Sequence, residues 1–232
     1  SSITVVTKQQ LEDTGALNIN DVFLYEANTE GAGNYTPTYI NVGITADLIG
    51  GYSGSDGTPY GIATANRVRG LGAADTTQNN FPTIARLGFD SYNTNSVEIN
   101  RGPNSILFGS GGASGIVNNS TSEAVLNQKK TQVSVRFGSF GAHRESISTN
   151  VPVGHKVALF FAALYDDKEY ERKPSYDFYR RQYAAITYQP FSKTKITGSF
   201  EAYDNRNNRP NFIDPSDYVT PWLNSGLPGG DP

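Results

Sequence analysis

The sequence contains no cysteine and no methionine. The absence of cysteine excludes a disulfide scaffold, a thiolate metal site and a cysteine nucleophile. No run approaches the roughly 20 apolar residues that a membrane-spanning helix requires, which excludes helical spans. The chain starts at Ser1 without a basic and apolar leader segment, so we expect either a removed signal peptide or a fragment.

Histidine is also scarce, with only His143 and His155 in the chain. Neither stands in a spacing typical of a catalytic triad or a metal site, so we predict no enzyme activity, no metal and no cofactor. The net charge of −3 argues against nucleic-acid binding. Residues 1–125 carry 5 basic and 11 acidic side chains (net −6), and residues 126–232 carry the other 14 and 11 (net +3). We therefore interpret the two halves separately.

The first residues predict one strand and two short helices. The β-branched run "ITVVT" is typical of a strand. Thr7 and Gln10 have the spacing of a capping box, and Gly15 is placed to end the helix that they begin. Asn18 or Asn20 is predicted to cap the second helix.

The stretch "VEINRGPNSILFGSGGASGIVN" places a glycine-rich loop between two apolar ends. It lacks the lysine of a Walker loop and the helix of a dinucleotide fingerprint, so we predict no nucleotide site. Pro103 instead predicts the start of a short helix, and Gly109 its left-handed end. We interpret Gly102 and Gly115 as positions that need positive φ or close backbone approach.

From residue 131 the pattern changes to a period of two. "TQVSVRFGSF" and "KITGSFEAYD" alternate apolar with polar side chains, and three segments of similar length lie between them. Each has about the ten residues of a tilted membrane strand. "VPVGH" and "QPFSK" predict tight turns, whereas "DDKEYERKPSYDFY" and the tail from Asn205 predict long loops. This alternation indicates an outer-membrane barrel, and a soluble antiparallel meander is the alternative.

One of these segments, "KVALFFAALY", is apolar on both faces. A strand that lines a water-filled lumen alternates apolar with polar residues, so this segment does not fit a simple pore. It indicates a lumen that is filled by another part of the protein.

Several ordered motifs resemble the plug domain of TonB-dependent outer-membrane receptors. In that family a Val-Glu strand leads to an Arg-Gly-Pro turn, an aromatic-Gly pair and a Gly-rich run into a Val-Asn strand, as "SVEINRGPNSILFGSGGASGIVN" does here. "RVRGLG" is similar to the earlier Arg-x-Arg-Gly element, in which Gly70 ends a short strand. "SITVVTKQQLEDTGALNINDVF" resembles the opening of the plug, and "VSVRFGSFGAHRESISTNVPV" resembles the first barrel hairpin.

The resemblance implies an α+β plug domain in residues 1–125. Residues 126–232 would then form about five strands of an antiparallel transmembrane β-barrel. Because plugged transporter barrels have about 22 strands, and an open sheet edge in lipid is not viable, we expect the native chain to continue beyond Pro232.

The function implied by the resemblance is TonB-dependent uptake of a siderophore-iron or cobalamin-like ligand across a Gram-negative outer membrane. The plug would gate the barrel lumen and face the periplasm. The implied partners are the TonB–ExbB–ExbD complex (through an upstream box absent here), a small-molecule ligand and outer-membrane lipid. The alternative is a non-transporting structural or binding subunit of an outer-membrane assembly.

In that family, plug arginines pair with acidic residues of the barrel, so the resemblance implies plug–barrel ion pairing for Arg69 and Arg101, with Arg67 and Glu98 beside them. The alternatives are arginines exposed at strand ends and, for Glu98, a local partner or a solvated side chain. The residues interpreted as the structural turn of the plug are Gly70, Gly102, Pro103, Gly109 and Gly115. Three aromatic residues at the plug apices, Tyr52, Tyr60 and Phe81, are predicted to stack on a ligand, and packing against loops is the alternative.

Overall fold

The computed structural model describes residues 2–31, 66–69, 74–82, 89–102 and 114–208. Most of these residues lie in strands, and two five-stranded sheets contain the longest of them. Within the described part of the chain, no helix is long and apolar enough to cross a membrane.

The first half contains two helices and seven of the described strands. The helices are α1 (Lys8–Thr14) and α2 (Ile19–Phe23). The strands are β1 (Ser2–Thr7), β2 (Thr29–Gly31), β3 (Asn66–Val68), β4 (Asp75–Gln78), β5 (Phe81–Pro82), β6 (Thr94–Arg101) and β7 (Gly115–Thr121). Five of them form a sheet in the order β1-β6-β7-β4-β5, and β2 pairs with β3. All pairs are antiparallel except β4 with β7, which is parallel.

The predicted helix caps are confirmed. The Thr7 hydroxyl accepts a hydrogen bond from the Gln10 backbone N–H, and the Gln10 side chain accepts one from the Thr7 N–H. Gly15 ends α1 in the left-handed region, with φ of 71°. Asn18 caps α2 by accepting hydrogen bonds from two backbone N–H groups of its first turn. These local contacts satisfy donors that a helix otherwise leaves unpaired.

One face of the first sheet packs against both helices. Val97 and Ile99 on β6 are fully buried, and they share a core with Leu11 of α1 and Phe23 of α2. Burial of each such side chain contributes about 1.5–3 kcal/mol. This core holds α1 against the sheet, and it therefore fixes the position of α1 relative to the start of β6.

The second half forms an antiparallel meander in the order β12-β11-β10-β9-β8. Its strands are β8 (Lys130–Phe137), β9 (His143–Val153), β10 (Val157–Glu169), β11 (Tyr176–Phe191) and β12 (Thr194–Asn208). The prediction of five strands joined by tight turns at "VPVGH" and "QPFSK" is confirmed. The prediction of a long loop in "DDKEYERKPSYDFY" is wrong, because pairing continues to Glu169 opposite Tyr176 and leaves only 170–175 as the connection.

The two faces of the second sheet differ. The inner face faces the first half of the chain, and there Phe160 and Leu164 share a buried cluster with Tyr92 and Ala124. The apolar strand β10 therefore has a covered inner face, as its pattern predicted. Large apolar residues are exposed on the outer face, and they include Val133, Ile147, Phe161, Ile186, Ile196 and Phe200.

Candidate functional site

A short turn carries the first half of the chain onto the inner face of the second sheet. Ser91–Asn93 form a 3-10 turn that leads directly into β6. Asp90 caps it, because its carboxylate accepts a hydrogen bond from the Tyr92 N–H at 3.0 Å. We call residues 90–93 the docking turn. Its side chains contact Arg144 and Glu201 of the second half.

Arg144 of β9 joins the docking turn to the sheet wall. Its guanidinium donates to Asp90 Oδ1 and to Asp166 Oδ2, each at 2.6 Å. Asp166 lies directly opposite Arg144 in the register of β9 and β10. The three side chains are at most 14% exposed. Since charges withdrawn from water need close partners, the planar guanidinium between two carboxylates satisfies all three groups.

Glu201 of β12 forms the second polar centre. It accepts hydrogen bonds from the Tyr92 hydroxyl at 2.6 Å and from Asn93 Nδ2 at 3.1 Å. Arg181 of β11 contacts the same carboxylate at 2.7 Å, and its guanidinium lies 5.2 Å from the Tyr92 ring centroid. Burial raises the pKa of Tyr92 well above its ordinary value, and the hydrogen bond to Glu201 adds to this effect. The phenol is therefore a neutral donor at physiological pH.

The segment after β7 is held to the same wall. Tyr183 donates from its hydroxyl to the Ser122 carbonyl oxygen at 2.9 Å. Asn150 accepts a hydrogen bond from the Val125 N–H and donates to the Val125 carbonyl, both at 2.8 Å. It also donates to the Gln128 carbonyl. Asn150 thus replaces the backbone partners that an extended connecting segment lacks.

A different contact region lies between α1 and strands β8 and β9. Gln132 Nε2 donates to Glu12 at 3.0 Å, and Arg136 donates to the Gly15 carbonyl at 2.9 Å, and both contacts are exposed. Beside them is an open cavity of about 80 Å³. Lys8 lines it, and burial lowers the pKa of its ammonium group. We call this cavity the polar seam; its wall on the second sheet includes the hydroxyls of Ser134, Ser146 and Ser148.

Arg101 is buried at the end of β6, with 5% of its side chain exposed. It donates to Thr4 Oγ1 at 2.6 Å and to Glu26 Oε2 at 3.2 Å. Both partners belong to the first half of the chain. Pairing of Arg101 with an acidic residue of the barrel therefore stays a prediction.

The other charged residues singled out from the sequence lie apart from the docking turn. Arg69 has φ of 59° and an exposed side chain, and its backbone N–H donates to the Asn28 carbonyl. Arg67 lies in β3 opposite Glu30. Glu98 is half-buried in β6. Within the described ranges, neither Arg69 nor Glu98 forms an ion pair.

The turn glycines that the structure describes have positive φ. Gly102 has φ of 91°, and a Cβ there would lie 2.9 Å from an Arg69 guanidinium nitrogen. Gly115 has φ of 117°, and its Cβ would lie 2.1 Å from the Asn100 carbonyl oxygen. Phe81 of β5 is 74% exposed. The remaining predicted residues lie outside the described part of the chain: Tyr52, Tyr60, Gly70, Pro103 and Gly109.

Sequence reasoning missed the residues that the structure brings together, which are Asp90, Arg144, Asp166, Arg181 and Glu201. Two signals were available. The opposite net charges of the two halves indicate that the acidic half meets basic residues of the other. A charge on an otherwise apolar strand face, such as Asp166 two residues after Leu164, indicates a buried partner. The described residues contain no group of three side chains suited to hold a metal ion.

Comparison with known proteins gives one family match. A model described as "TonB-dependent Receptor Plug Domain" matches residues 1–116, which is half of the chain. The match ends within β7, before the meander begins.

Solved structures of receptors are similar to almost the whole chain. The ferric-catecholate import receptor Fiu from E. coli matches with a TM-score of 0.68 and 15% identity over 89% of this chain and 27% of its own. The ferripyoverdine receptor from Pseudomonas aeruginosa matches with a TM-score of 0.68 and 19% identity over 91% and 28%. The alcaligin receptor FauA from Bordetella pertussis matches with a TM-score of 0.64 and 20% identity over 88% and 32%. The chain thus spans about a quarter to a third of the length of these receptors.

Proposed function

The chain belongs to the TonB-dependent receptor plug domain family, and we propose that it is the plug and the first barrel strands of an outer-membrane receptor for siderophore-bound iron. Residues 1–125 are the plug in this proposal, and residues 126–232 begin the barrel. Three of the similar structures are named for ferric-catecholate, ferripyoverdine or alcaligin. These names favour a ferric siderophore over a cobalamin-like ligand.

The observation that carries the proposal is the docking of residues 90–93 on the inner face of the second sheet. A plug must be held in place by the barrel wall. Arg144 and Glu201 provide such a contact, because each bridges the two halves through polar groups. Because these groups are buried, separation would leave charges without their partners, so the contact holds the plug on the wall.

The outer face of the second sheet supports an outer-membrane location. Large apolar side chains are exposed on all five strands of this face. An exposed apolar surface this wide marks contact with another apolar phase. Phe161 of β10 and Phe200 of β12 lie on this face, and Ala184 of β11 lies directly opposite both of them. Lipid is the partner that an outward, alternating apolar face fits.

The inner face beyond the docking turn supports a ligand side. Tyr179 and Tyr203 have ring centroids 6.0 Å apart, and Lys168 Nζ lies 5.2 Å from the Tyr179 centroid. Rings beside a cation suit an anionic, partly aromatic ligand. Phe81 remains a proposed ligand contact from the plug. The periplasmic partner in this proposal is TonB, with ExbB and ExbD.

The test is uptake by the full-length receptor in a Gram-negative strain that lacks its own siderophore receptors. Cells under iron limitation would receive radioactive iron as a ferric catecholate, ferripyoverdine or ferric alcaligin. We expect uptake of at least one complex, and we expect loss of that uptake when the proton gradient is collapsed or TonB is deleted.

Two results would contradict the proposal. Binding of a complex without gradient-dependent uptake would favour the non-transporting binding subunit. Absence of the protein from the outer membrane would contradict the location as well.

A further inference from the structure

The interface between the plug and the wall has a dry side. On β10 and β11, the inner-face residues Ala162 and Ala185 are at most 7% exposed and pack in one cluster with Tyr92. The buried charges of Arg144 and Arg181 border this cluster. Separation here would expose apolar surface and leave buried charges without partners, so this side resists opening.

The same interface has a wet side at the polar seam. The inner faces of β8 and β9 present small hydroxyl and amide groups there, and no described apolar cluster joins them to α1. The direct contacts are the exposed hydrogen bonds from Gln132 to Glu12 and from Arg136 to the Gly15 carbonyl. Exposed polar contacts of this kind contribute little to the free energy that holds α1 on the wall, because water replaces them on separation.

The two sides meet between β9 and β10, at the facing pairs Ser148 with Ala162 and Ser146 with Leu164. Ser148 of β9 and Ala162 of β10 are directly opposite each other in the register, so they lie at the same depth on the wall. Ser148 lines the polar seam and is half-buried. Ala162 belongs to the dry cluster and is 5% exposed. The boundary between the wet and dry sides therefore runs between neighbouring strands.

We propose that the path for solute through this receptor opens at the polar seam, between α1 and strands β8 and β9, while the docking turn stays on strands β9 to β12. This inference rests on the proposed transport function. Widening of the seam adds to a space that is already open and polar, and the direct contacts across it are the two exposed hydrogen bonds from Gln132 and Arg136. The serine hydroxyls then line the path together with the cations Lys8 and Arg136 and one carboxylate, Glu12, and this excess of cations suits an anionic, hydrated solute.

Because the sequence contains no cysteine, a cysteine introduced by substitution can be labelled selectively. Ser148→Cys and Ala162→Cys would be made separately in the full-length receptor, provided that the rest of the chain is also free of cysteine. Cells that express TonB would be treated with a membrane-impermeant fluorescent maleimide. The labelling rate of each cysteine would be measured with an intact proton gradient and after its collapse.

We expect the intact gradient to raise the labelling rate of Ser148→Cys at least about fivefold and to leave that of Ala162→Cys within about twofold. Equal acceleration at both positions would overturn the inference, because the plug would then leave the wall as a whole. Acceleration at Ala162→Cys alone, or at neither position, would overturn it as well.

Radioactive iron uptake in the same cells separates this inference from the proposed function. Gradient-dependent uptake without selective labelling of Ser148→Cys would reject the seam and keep the transporter. Absence of uptake by the unsubstituted receptor would reject the transporter itself. A variant that fails to fold is recognised by a second labelling step after denaturation. Both cysteines react in an unfolded chain, so only folded receptor leaves an unlabelled fraction for that second step.

Discussion

The sheet β1-β6-β7-β4-β5 buries valine and isoleucine against two helices, whereas the sheet β8–β12 carries large apolar residues on its exposed outer face. Val97 and Ile99 of the first sheet are fully buried. Phe200 of the second sheet is 71% exposed. The first sheet has a core within the described chain, and the second relies on the plug for one face and on its surroundings for the other. An exposed apolar side chain therefore has a different meaning in the two halves.

The largest expected effect is at the contact where the two sheets meet. Arg144→Gln would leave Asp90 and Asp166 buried without their cation, and loss of one partner of a buried pair costs about 3–5 kcal/mol. We expect the free energy of opening of the docking turn to fall by this amount. Hydrogen exchange of the Tyr92 amide, which donates to Asp90, measures it in the full-length receptor.

Lys173→Gln is the matched control for that prediction. Lys173 pairs with Glu169 on the surface, so its loss should cost only about 0.2–1 kcal/mol. Equal effects of the two substitutions would show that the Arg144 contact does not hold the plug.

A second prediction compares equal exposure on the two sheets. Phe161 is 47% exposed on the outer face of β10, and Val5 is 49% exposed on β1. Phe161→Arg should lower the free energy of unfolding in lipid vesicles by about 2–4 kcal/mol, because a cation then enters the apolar phase. Val5→Arg should change it by less than about 0.5 kcal/mol. Urea unfolding of the full-length receptor in vesicles measures both values, and a similar small effect at Phe161 would contradict a lipid-facing surface.

A third prediction concerns local stability in the first half. Thr7→Ala removes the hydroxyl that caps α1 and should lower the stability of this helix by about 1 kcal/mol. Thr7→Ser keeps the hydroxyl and should restore most of the loss. Hydrogen exchange across α1 measures the change, and equal protection in both variants would show that packing of Leu11 alone holds the helix.

The smallest expected effect depends on pH. The raised pKa of Tyr92 means that the folded protein keeps the phenol protonated above the ordinary tyrosine value of 10.0. The contribution of its hydrogen bond is therefore complete below pH 10 and is lost as pH rises further. The stability difference between the unsubstituted receptor and Tyr92→Phe should stay constant up to about pH 10 and then decrease. Loss of the difference already between pH 7 and 9 would contradict this assignment.

Much of the fold was predictable, because its signals lie close together in the chain. The caps at Thr7 and Asn18 depend on residues two or three positions away. The alternation in β8 to β12 reflects the period of a strand, which any such segment shows. The length of the connection at 170–175 was not predictable from charge, because Asp167, Lys168 and Glu169 continue the ladder as paired strand residues.

The site was less predictable than the fold. Arg101 was singled out from its motif, but its described partners are Thr4 and Glu26. The contact between the two halves instead depends on Arg144 and Glu201, which stand in no motif that the sequence analysis recognised. Their partners are far away in the chain, and the Tyr92 hydroxyl that contacts Glu201 is 109 positions from it.

The sequence by itself determined the family of the chain, the helix caps and the two strand periods, since each depends on neighbouring residues or on an ordered motif. Tertiary structure decided which charges meet at the docking turn and which part of the wall stays wet. Ser148 and Ala162 are both small residues on an inward face, and the apolar run around Ala162 predicts that its face is covered but not which segment covers it. Only the position of α1 and of residues 90–93 against the wall places one beside a polar cavity and the other in an apolar cluster. Contacts of this kind are set by the packing of distant segments, so local sequence cannot encode them alone.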